Sequence, residues 1–537
     1  MVQSMISSRQ VQPDTPWSPL ALAAFRAIWI ASVVSNVGSW MQNVGVAWQM
    51  TTLTPSPVLV ALIQTATSLP VFLVGLPAGT LADLVDRRRL LLVSQTWMLV
   101  AAAILSGLTF AGRTTPLTLL LLTFALGLGA SVNSPAWQAI VPELVPRRQL
   151  ANAIALNGAG FNLARATGPA LGGLLVAAAG PAFVFLLNAL SFLATIVVLY
   201  RWRRPAAISG GSSPTERLSE ALHAGLRYVR FAPALRALLG RVAIFVVCAS
   251  ALWALLPLVA RQQLGLDSSG YGLLLACLGI GAVLGAFVLP RFRRRLSLDL
   301  LISVASVVFA VGTAALGWVG FLPLLGLALA AAGVAWLMVM SSFTVAAQTI
   351  APAWVSARVL GTYLLVSQGG LAAGSFAWGA VADRLGLPAA LALAAGGLVL
   401  GLGVAPVWRL KPGERLDVRP SAHLAEPPSV LGEIEPSRGP VLVIAEYRVR
   451  PEHAAEFAEA MQAVRIVRRR DGAATWGLFE DPTDPGRYLE TFIIHSLGEH
   501  LRQHERGTMS DKAIEERALR LADGPPEVRH LIAALSE

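Results

Sequence analysis

The chain has 537 residues, of which 55% are hydrophobic and only 14% charged, and its mean hydropathy is +0.63. A soluble chain carries about a quarter charged residues to cover its surface, so this composition excludes an ordinary soluble enzyme and points to a surface that faces lipid. The net charge of +11 comes from arginines at the ends of apolar runs, with no continuous basic face, which argues against nucleic acid as a partner and for the bilayer.

In chain order, residues 1–20 form a polar N-terminal tail without a cleaved-signal pattern, because the first apolar run continues past signal length. Twelve runs then follow that are long enough to cross a bilayer. They lie near 21–48, 56–82, 90–111, 116–139, 151–178, 182–202, 238–261, 269–290, 298–318, 321–346, 357–382 and 387–408. Joints as short as 51–56, 179–181 and 317–321 make neighbouring helices antiparallel. Alternate joints carry Arg87, Arg88 and Arg89, then Arg147 and Arg148, Arg201, Arg203 and Arg204, Arg291 and Arg293 to Arg295, and finally Arg409 with Lys411. The others carry only Arg113, Arg261 and Arg384. The positive-inside bias therefore puts both termini in the cytoplasm.

An internal repeat is visible. Gly79 opens a segment ending Arg87-Arg88-Arg89, and Gly285 opens one ending Arg293-Arg294-Arg295, an offset of 285 − 79 = 206. Gly168, Gly173 and Gly180 are matched by Gly374, Gly379 and Gly386 at the same 206-residue offset. Two homologous six-helix bundles in the same orientation are expected, at 21–202 and 237–410, related by an axis along the membrane normal. Between them, residues 203–236 form a cytoplasmic loop in which Ser213, Pro214 and Glu216 have the spacing of a helix start. Leu218, Leu222, Leu226 and Val229 then give an amphipathic helix on the interface. Cys248 and Cys277 lie in apolar runs and read as buried hydrophobes, with no disulfide and no metal site.

Residues 411–438, rich in Pro, Glu and Ser, read as a flexible linker. Residues 439–537 have the pattern of a soluble α+β domain. A strand at 441–449 precedes a helix at 451–468, strands at 473–480 and 487–494, one or two helices over 497–522, and a strand at 527–532. This β-α-β-β-α-β order is ferredoxin-like.

Two motifs sit in the first bundle. In Gly79-x3-Asp83-x3-Arg87-Arg88-Arg89, a carboxylate at a helix end needs a partner, and Arg87 and Arg88 are near in sequence, so the cluster can lock one side shut. In Gly160-x3-Ala164-x3-Gly168-Pro169-x2-Gly172-Gly173, small residues four apart allow close helix approach, and Pro169 removes one backbone bond. The first segment resembles the loop between helices 2 and 3 of the major facilitator superfamily, and the second resembles the helix-5 motif of its antiporters. With a long central loop and a soluble tail, the chain is similar to the drug:proton antiporter branch of enterobactin and macrolide exporters. The tail resembles antibiotic biosynthesis monooxygenase-type domains.

The resemblance implies an all-α membrane protein of twelve-helix major facilitator fold with a C-terminal α+β domain, in a bacterial cytoplasmic (inner) membrane. It further implies that Gly79, Asp83, Arg87 and Arg88 form a conformational switch, and that Gly160, Gly168, Pro169, Gly172 and Gly173 form a pliable seam. Leu84 and Asp86 depart from the family pattern, and Leu289 stands opposite Asp83 in the repeat, so only the first copy can be a charge lock.

Polar residues at cavity depth are Asn36, Gln42, Asn43, Asn133, Gln138, Asn162, Arg165 and Gln368, with Gln348 just past the end of span 10. Arg165, inside span 5, is either a cavity group favouring an anionic or strongly polar substrate or a structural residue held by an ion pair or by hydrogen bonds to carbonyls. Trp40, Trp48, Trp336 and Tyr363 are candidate stacking surfaces or interfacial anchors. Proton coupling has only Asp83, Glu143 and Asp383 as candidates, all near span ends, and the basic residue the family places in helix 4 is missing before Ala125.

The expected function is export of a hydrophobic or amphipathic small molecule (a drug, macrolide or siderophore) by alternating access with proton antiport, with no cofactor and no catalytic residue. The alternatives are a membrane-anchored oxygenase working through Trp476, His495, His500 and His504, or an importer of the same fold. His500 and His504 stand at i, i+4 in a polar helix with no third ligand in view, which reads as a solvated face. The tail is expected to regulate or to self-associate through its sheet.

Overall fold

In the computed structural model, residues 15–202, 227–352, 354–408 and 438–534 are described, with a few single positions between the last two stretches. The predicted interfacial helix start at Ser213, Pro214 and Glu216 and most of the linker fall outside them.

Among the described residues, twelve long helices have both ends within residues 23–400: α1 (Ala23–Leu53), α2 (Pro57–Leu84), α3 (Arg87–Phe110), α4 (Pro116–Leu144), α5 (Leu150–Ala179), α6 (Pro181–Arg201), α7 (Pro233–Leu258), α8 (Ser268–Arg295), α9 (Leu298–Trp318), α10 (Leu322–Ile350), α11 (Ser356–Leu385) and α12 (Leu387–Leu400). Among the described residues ten helices are long and apolar enough to span a membrane. The two left out are α1 and α5, whose hydropathy is lowered by Asn36, Gln42 and Asn43 and by Asn157, Asn162 and Arg165. Several helices overrun their predicted spans because a helix continues into the interface once its apolar part ends. Thus α4 reaches Leu144, α8 reaches Arg295, and α10 reaches Ile350, so Gln348 lies inside α10 and not beyond it. The opposite correction applies to α12, which gives way to a 3-10 turn at Gly401–Val404.

The 206-residue offset recurs in the helix boundaries. α4 and α10 match at both ends (322 − 116 and 350 − 144), as do α5 and α11 (356 − 150 and 385 − 179). Gly180 and Gly386, at the starts of α6 and α12, have φ of +80° and +84°, a left-handed conformation that favours glycine. In the first half α1 packs on α5 and α6, α2 on α4, and α3 on α4 and α6, while α5 packs on α8 of the second half.

The chain divides into two compact units, one of residues 1–209, 243–340 and 364–403, the other of residues 210–242, 341–363 and 404–537. The second unit thus joins the tail to the first turns of α7, the last turns of α10 and the first turns of α11. In the tail, β1 (Val441–Arg448), α13 (Ala454–Asp471), β2 (Thr475–Glu480), β3 (Arg487–Ile494), α14 (Leu497–Arg506), α15 (Met509–Leu519) and β4 (Glu527–Ile532) follow in order. The strands form one antiparallel sheet of order β2-β3-β1-β4. α13 closes one face through Phe457, Met461 and Val464 against Ala445 and Tyr447. The predicted helical stretch 497–522 is broken at Gly507, where Thr508 caps α15 and Asp511 answers its backbone N–H.

Candidate functional site

A cavity of about 90 Å³ lies where α1, α2, α4, α5, α7 and α8 meet. Its polar lining is Asn43, Gln64, Thr67 and Thr123, and its aromatic lining is Trp40, Trp253 and Tyr271. Beside it the Arg165 guanidinium lies 5.9 Å from the centre of the Trp40 ring. Arg165 Nε is buried without a hydrogen-bond partner among the described residues. Among the described residues no carboxylate pairs with this half-buried guanidinium, and a charge inside a span without an ion-pair partner commonly faces a cavity. A drug-sized ligand needs about 300 Å³ or more, so the cavity must open to admit one.

Next to the cavity, two helix seams join the halves. At the α5–α8 seam a Cβ added to Gly173 would sit 2.5 Å from Ser268 O and 2.9 Å from Gly272 Cα. Its repeat-mate Gly379 in α11 meets α2 in the same way, with an added Cβ 3.1 Å from Val58 Cα and 2.6 Å from Ala61 Cβ. Both contacts lie at the helix ends opposite the arginine-rich joints. Deeper in the first seam, Pro169 has no N–H to give the Arg165 carbonyl, and that oxygen is 2.9 Å from the position of a Gly279 Cβ. The other motif glycines face α1 instead: added Cβ atoms would meet Val33 at Gly160, Trp40 at Gly168 and the Met41 backbone at Gly172. Beyond this end, Arg261 donates to Thr51 Oγ1 at 3.3 Å and lies 5.5 Å over the Trp48 ring, which stacks on Tyr271.

At the arginine-rich ends Arg87 pairs with Glu143 of α4 at 2.6 Å. Arg88 donates to the carbonyls of Leu199 and Tyr200 at 2.8 and 2.7 Å, and Asp86 caps α3. The backbone of Asp83 lies in α2, while its side chain falls outside the described residues. Gly79 has open space where a Cβ would stand. Glu143, considered from sequence only as a proton carrier, is therefore an ion-pair partner of Arg87. Pro142-Glu143, just before Pro146-Arg147-Arg148, was the available signal.

The remaining candidates scatter. Gln42 is buried and accepts from Asn188 in the α1–α6 contact, away from the cavity lining. Asn133 accepts from Ser94 and Gln95 of α3, and Asn36 donates to Ser32 of its own helix. Gln138, Asn162, Gln348 and Asp383 are exposed, and Gln368 is half-buried. Trp336 packs in an aromatic cluster with Phe245, Trp253 and Phe309, and Tyr363 accepts from Thr344. Gln64, which bonds Ser68 and lines the cavity, is missed from sequence, although Thr65, Thr67 and Ser68 beside it form a polar patch inside span 2.

In the second unit the tail meets the connecting segments through one carboxylate and two cations. Arg227 pairs with Glu499 at 2.7 Å, Arg470 lies 5.7 Å over Tyr228, and Arg506 lies 4.5 Å over Trp354 in the α10–α11 turn. Burial works against the Glu499 carboxylate, but Arg506 and Arg227 hold it down to about 2. A depressed carboxylate stabilises above its unfolded value and loses that contribution only as pH falls toward about 2, so the contact stays charged in the cell.

The tail also encloses a cavity of about 280 Å³ between its sheet and α14–α15, lined by Tyr447, Arg468, Glu490 and Glu515 among others. Trp476 donates to Glu490 at 2.9 Å, and His495 is exposed. His500 is buried, and burial with His504 and His530 alongside pushes its imidazole down to about 4. The solvated-face reading of His500 is thereby corrected, because β4 brings His530 against it at a ring separation of 4.8 Å.

The family model described as transmembrane secretion effector matches residues 14–537, tail included. The multidrug efflux pump Tap of Mycolicibacterium fortuitum is 26% identical over 412 residues, covering 74% of this chain and 98% of its own length. The enterobactin exporter EntS of Shigella boydii is 28% identical over 396 residues, covering 71% and 90%. Among solved structures, a bacterial homologue of the human lysosomal transporter Spinster, in an inward-facing and unoccupied conformation, superposes with a TM-score of 0.56 at 15% identity, covering 72% of this chain and 95% of its own.

Proposed function

The chain belongs to the transmembrane secretion effector family of the major facilitator superfamily, a multi-pass membrane transporter and not an enzyme, related to drug-efflux and siderophore transporters, and on that premise we propose that it exports an amphipathic small molecule by alternating access with proton antiport. The observation that carries the reading is the pair of repeat-related seams, Gly173 on α8 and Gly379 on α2, next to a cavity of about 90 Å³ flanked by Arg165, whose Nε has no hydrogen-bond partner among the described residues. Closing both seams at one end while the other end parts is the motion alternating access requires. The membrane is a bacterial inner membrane with both termini cytoplasmic, which the arginine-rich joints support. The substrate carries polar or anionic groups, in keeping with Arg165, Asn43 and Gln64. The tail's strand order and β-α-β-β-α-α-β succession support a ferredoxin-like reading.

Accumulation of macrolides and of a catecholate siderophore, measured in cells lacking their own exporters, tests this proposal. Wild-type chain lowers accumulation, and Arg87→Ala restores it at least about fivefold, because the 2.6 Å Arg87–Glu143 pair between α3 and α4 is lost, a loss of about 1–3 kcal/mol. Equal accumulation with wild-type chain and with no chain, across both compound classes, would remove the export reading.

A further inference from the structure

We propose that His500, His504 and His530 form a binding site for a divalent transition-metal ion of the zinc type, with a fourth coordination position facing the tail cavity. Three donor atoms of these residues lie within 4.8 Å of one another. They come from two elements that the sheet topology brings together. His500 and His504 stand one turn apart on the same face of α14, and His530 lies on β4 opposite Val443 of β1, on the sheet face that carries Val528 and Ile532.

The spacing is that of ligands to one ion. Nε2 of His500 and Nε2 of His504 are 3.4 Å apart. Two imidazole nitrogens each about 2.0–2.1 Å from a tetrahedral zinc are about 3.3–3.4 Å from one another. His500 Nδ1 lies 3.2 Å from Gln503 Oε1. An Nδ1–H donating there leaves the Nε2 lone pair directed at the cluster, the outer-shell arrangement that orients metal-bound histidines. Gln503 is itself only 3% exposed, so this orientation is fixed by packing.

The same cavity wall is polar and buried. Glu490, fully buried, accepts from Arg468 at 3.2 Å, Tyr447 at 3.0 Å and Trp476 at 2.9 Å. Glu515 takes the other side of Arg468 at 2.8 Å. Three imidazoles without a thiolate favour zinc, with cobalt, nickel and copper also accepted. The open position faces about 280 Å³ of cavity, room for an anionic or chelating ligand.

The full-length protein, purified in detergent without a histidine tag and stripped with chelator, is titrated with Co²⁺ and then Zn²⁺. The expected result is about one Co²⁺ per chain with the intense visible absorption of tetrahedral cobalt, displaced by an equal amount of Zn²⁺. His530→Ala and His504→Gln each weaken the affinity by about 100-fold or more, and Gln503→Leu by about tenfold. Zn²⁺ raises the unfolding temperature of wild type and not of the two histidine variants. Gel filtration and far-ultraviolet circular dichroism of the metal-free variants separate loss of a ligand from loss of the fold, and His504→Gln, the more conservative change, stands in if His530→Ala misfolds. Sub-stoichiometric binding by wild type, the pale spectrum of octahedral cobalt, or equal binding by folded variants would each overturn the site and leave the cluster a hydrogen-bonded histidine pair beside His530.

Discussion

Gly173→Val is expected to cut transport by about a hundredfold while the protein still reaches the membrane and folds. The side chain would enter space already filled by the Ser268 carbonyl at 2.5 Å and Gly272 Cα at 2.9 Å. Neither is a flexible side-chain end, so α5 and α8 must separate. Overpacking of this kind costs about 1–3 kcal/mol, and at the upper end that is about a hundredfold in the ratio of closed to open seam. Gly379→Val, the repeat-mate against Val58 and Ala61, should behave alike. Gly158→Ala, on the same α5 but with open space at its Cβ, should transport like wild type. Initial efflux rates at matched membrane abundance check this. Wild-type rates in both valine variants would show that these seams do not close in the cycle.

Arg165→Met should separate function from stability. Its Nε is buried without a partner among the described residues, and its half-buried guanidinium lies 5.9 Å from the centre of the Trp40 ring. A partly desolvated charge inside a span is a burden on the fold. Replacing it by an apolar side chain of similar length should leave the unfolding temperature unchanged or raise it by a few degrees. Transport of an anionic substrate should fall by about tenfold or more, because the cation is the strongest recognition element beside the cavity. Arg165→Lys should retain part of the activity. A purely structural arginine gives the opposite pattern: a lower unfolding temperature with transport intact.

Much of the membrane part is legible in the sequence for a simple reason. Lipid requires about 20 apolar residues per crossing and imposes the arginine asymmetry, and the glycine offset of 206 survives as matched ends of α4 with α10 and α5 with α11. Borders are less legible, because helices such as α4 and α10 run past the hydrocarbon region. The roles of polar residues are harder still. Gln42 and Asn133 look like cavity groups, yet one bonds Asn188 and the other Ser94 and Gln95. In a bundle a glutamine facing a neighbour and one facing a cavity have the same local sequence. Partners far apart in the chain are hidden for the same reason. Glu143 meets Arg87 across 56 residues, and His530 meets His500 only because β4 returns beside β1. In contrast, the helix-5 glycines carry their meaning locally, since a run of small residues four apart has few uses other than close approach.

Transport in inverted membrane vesicles tests the central claim most directly. With an acid-inside pH gradient imposed and no nucleotide present, vesicles bearing the wild-type chain should accumulate a macrolide or catecholate siderophore. That accumulation should be at least about tenfold above Gly173→Val vesicles and should collapse when an ionophore dissipates the gradient. Accumulation that ignores the gradient, or that appears only in right-side-out vesicles, would contradict a proton-driven exporter.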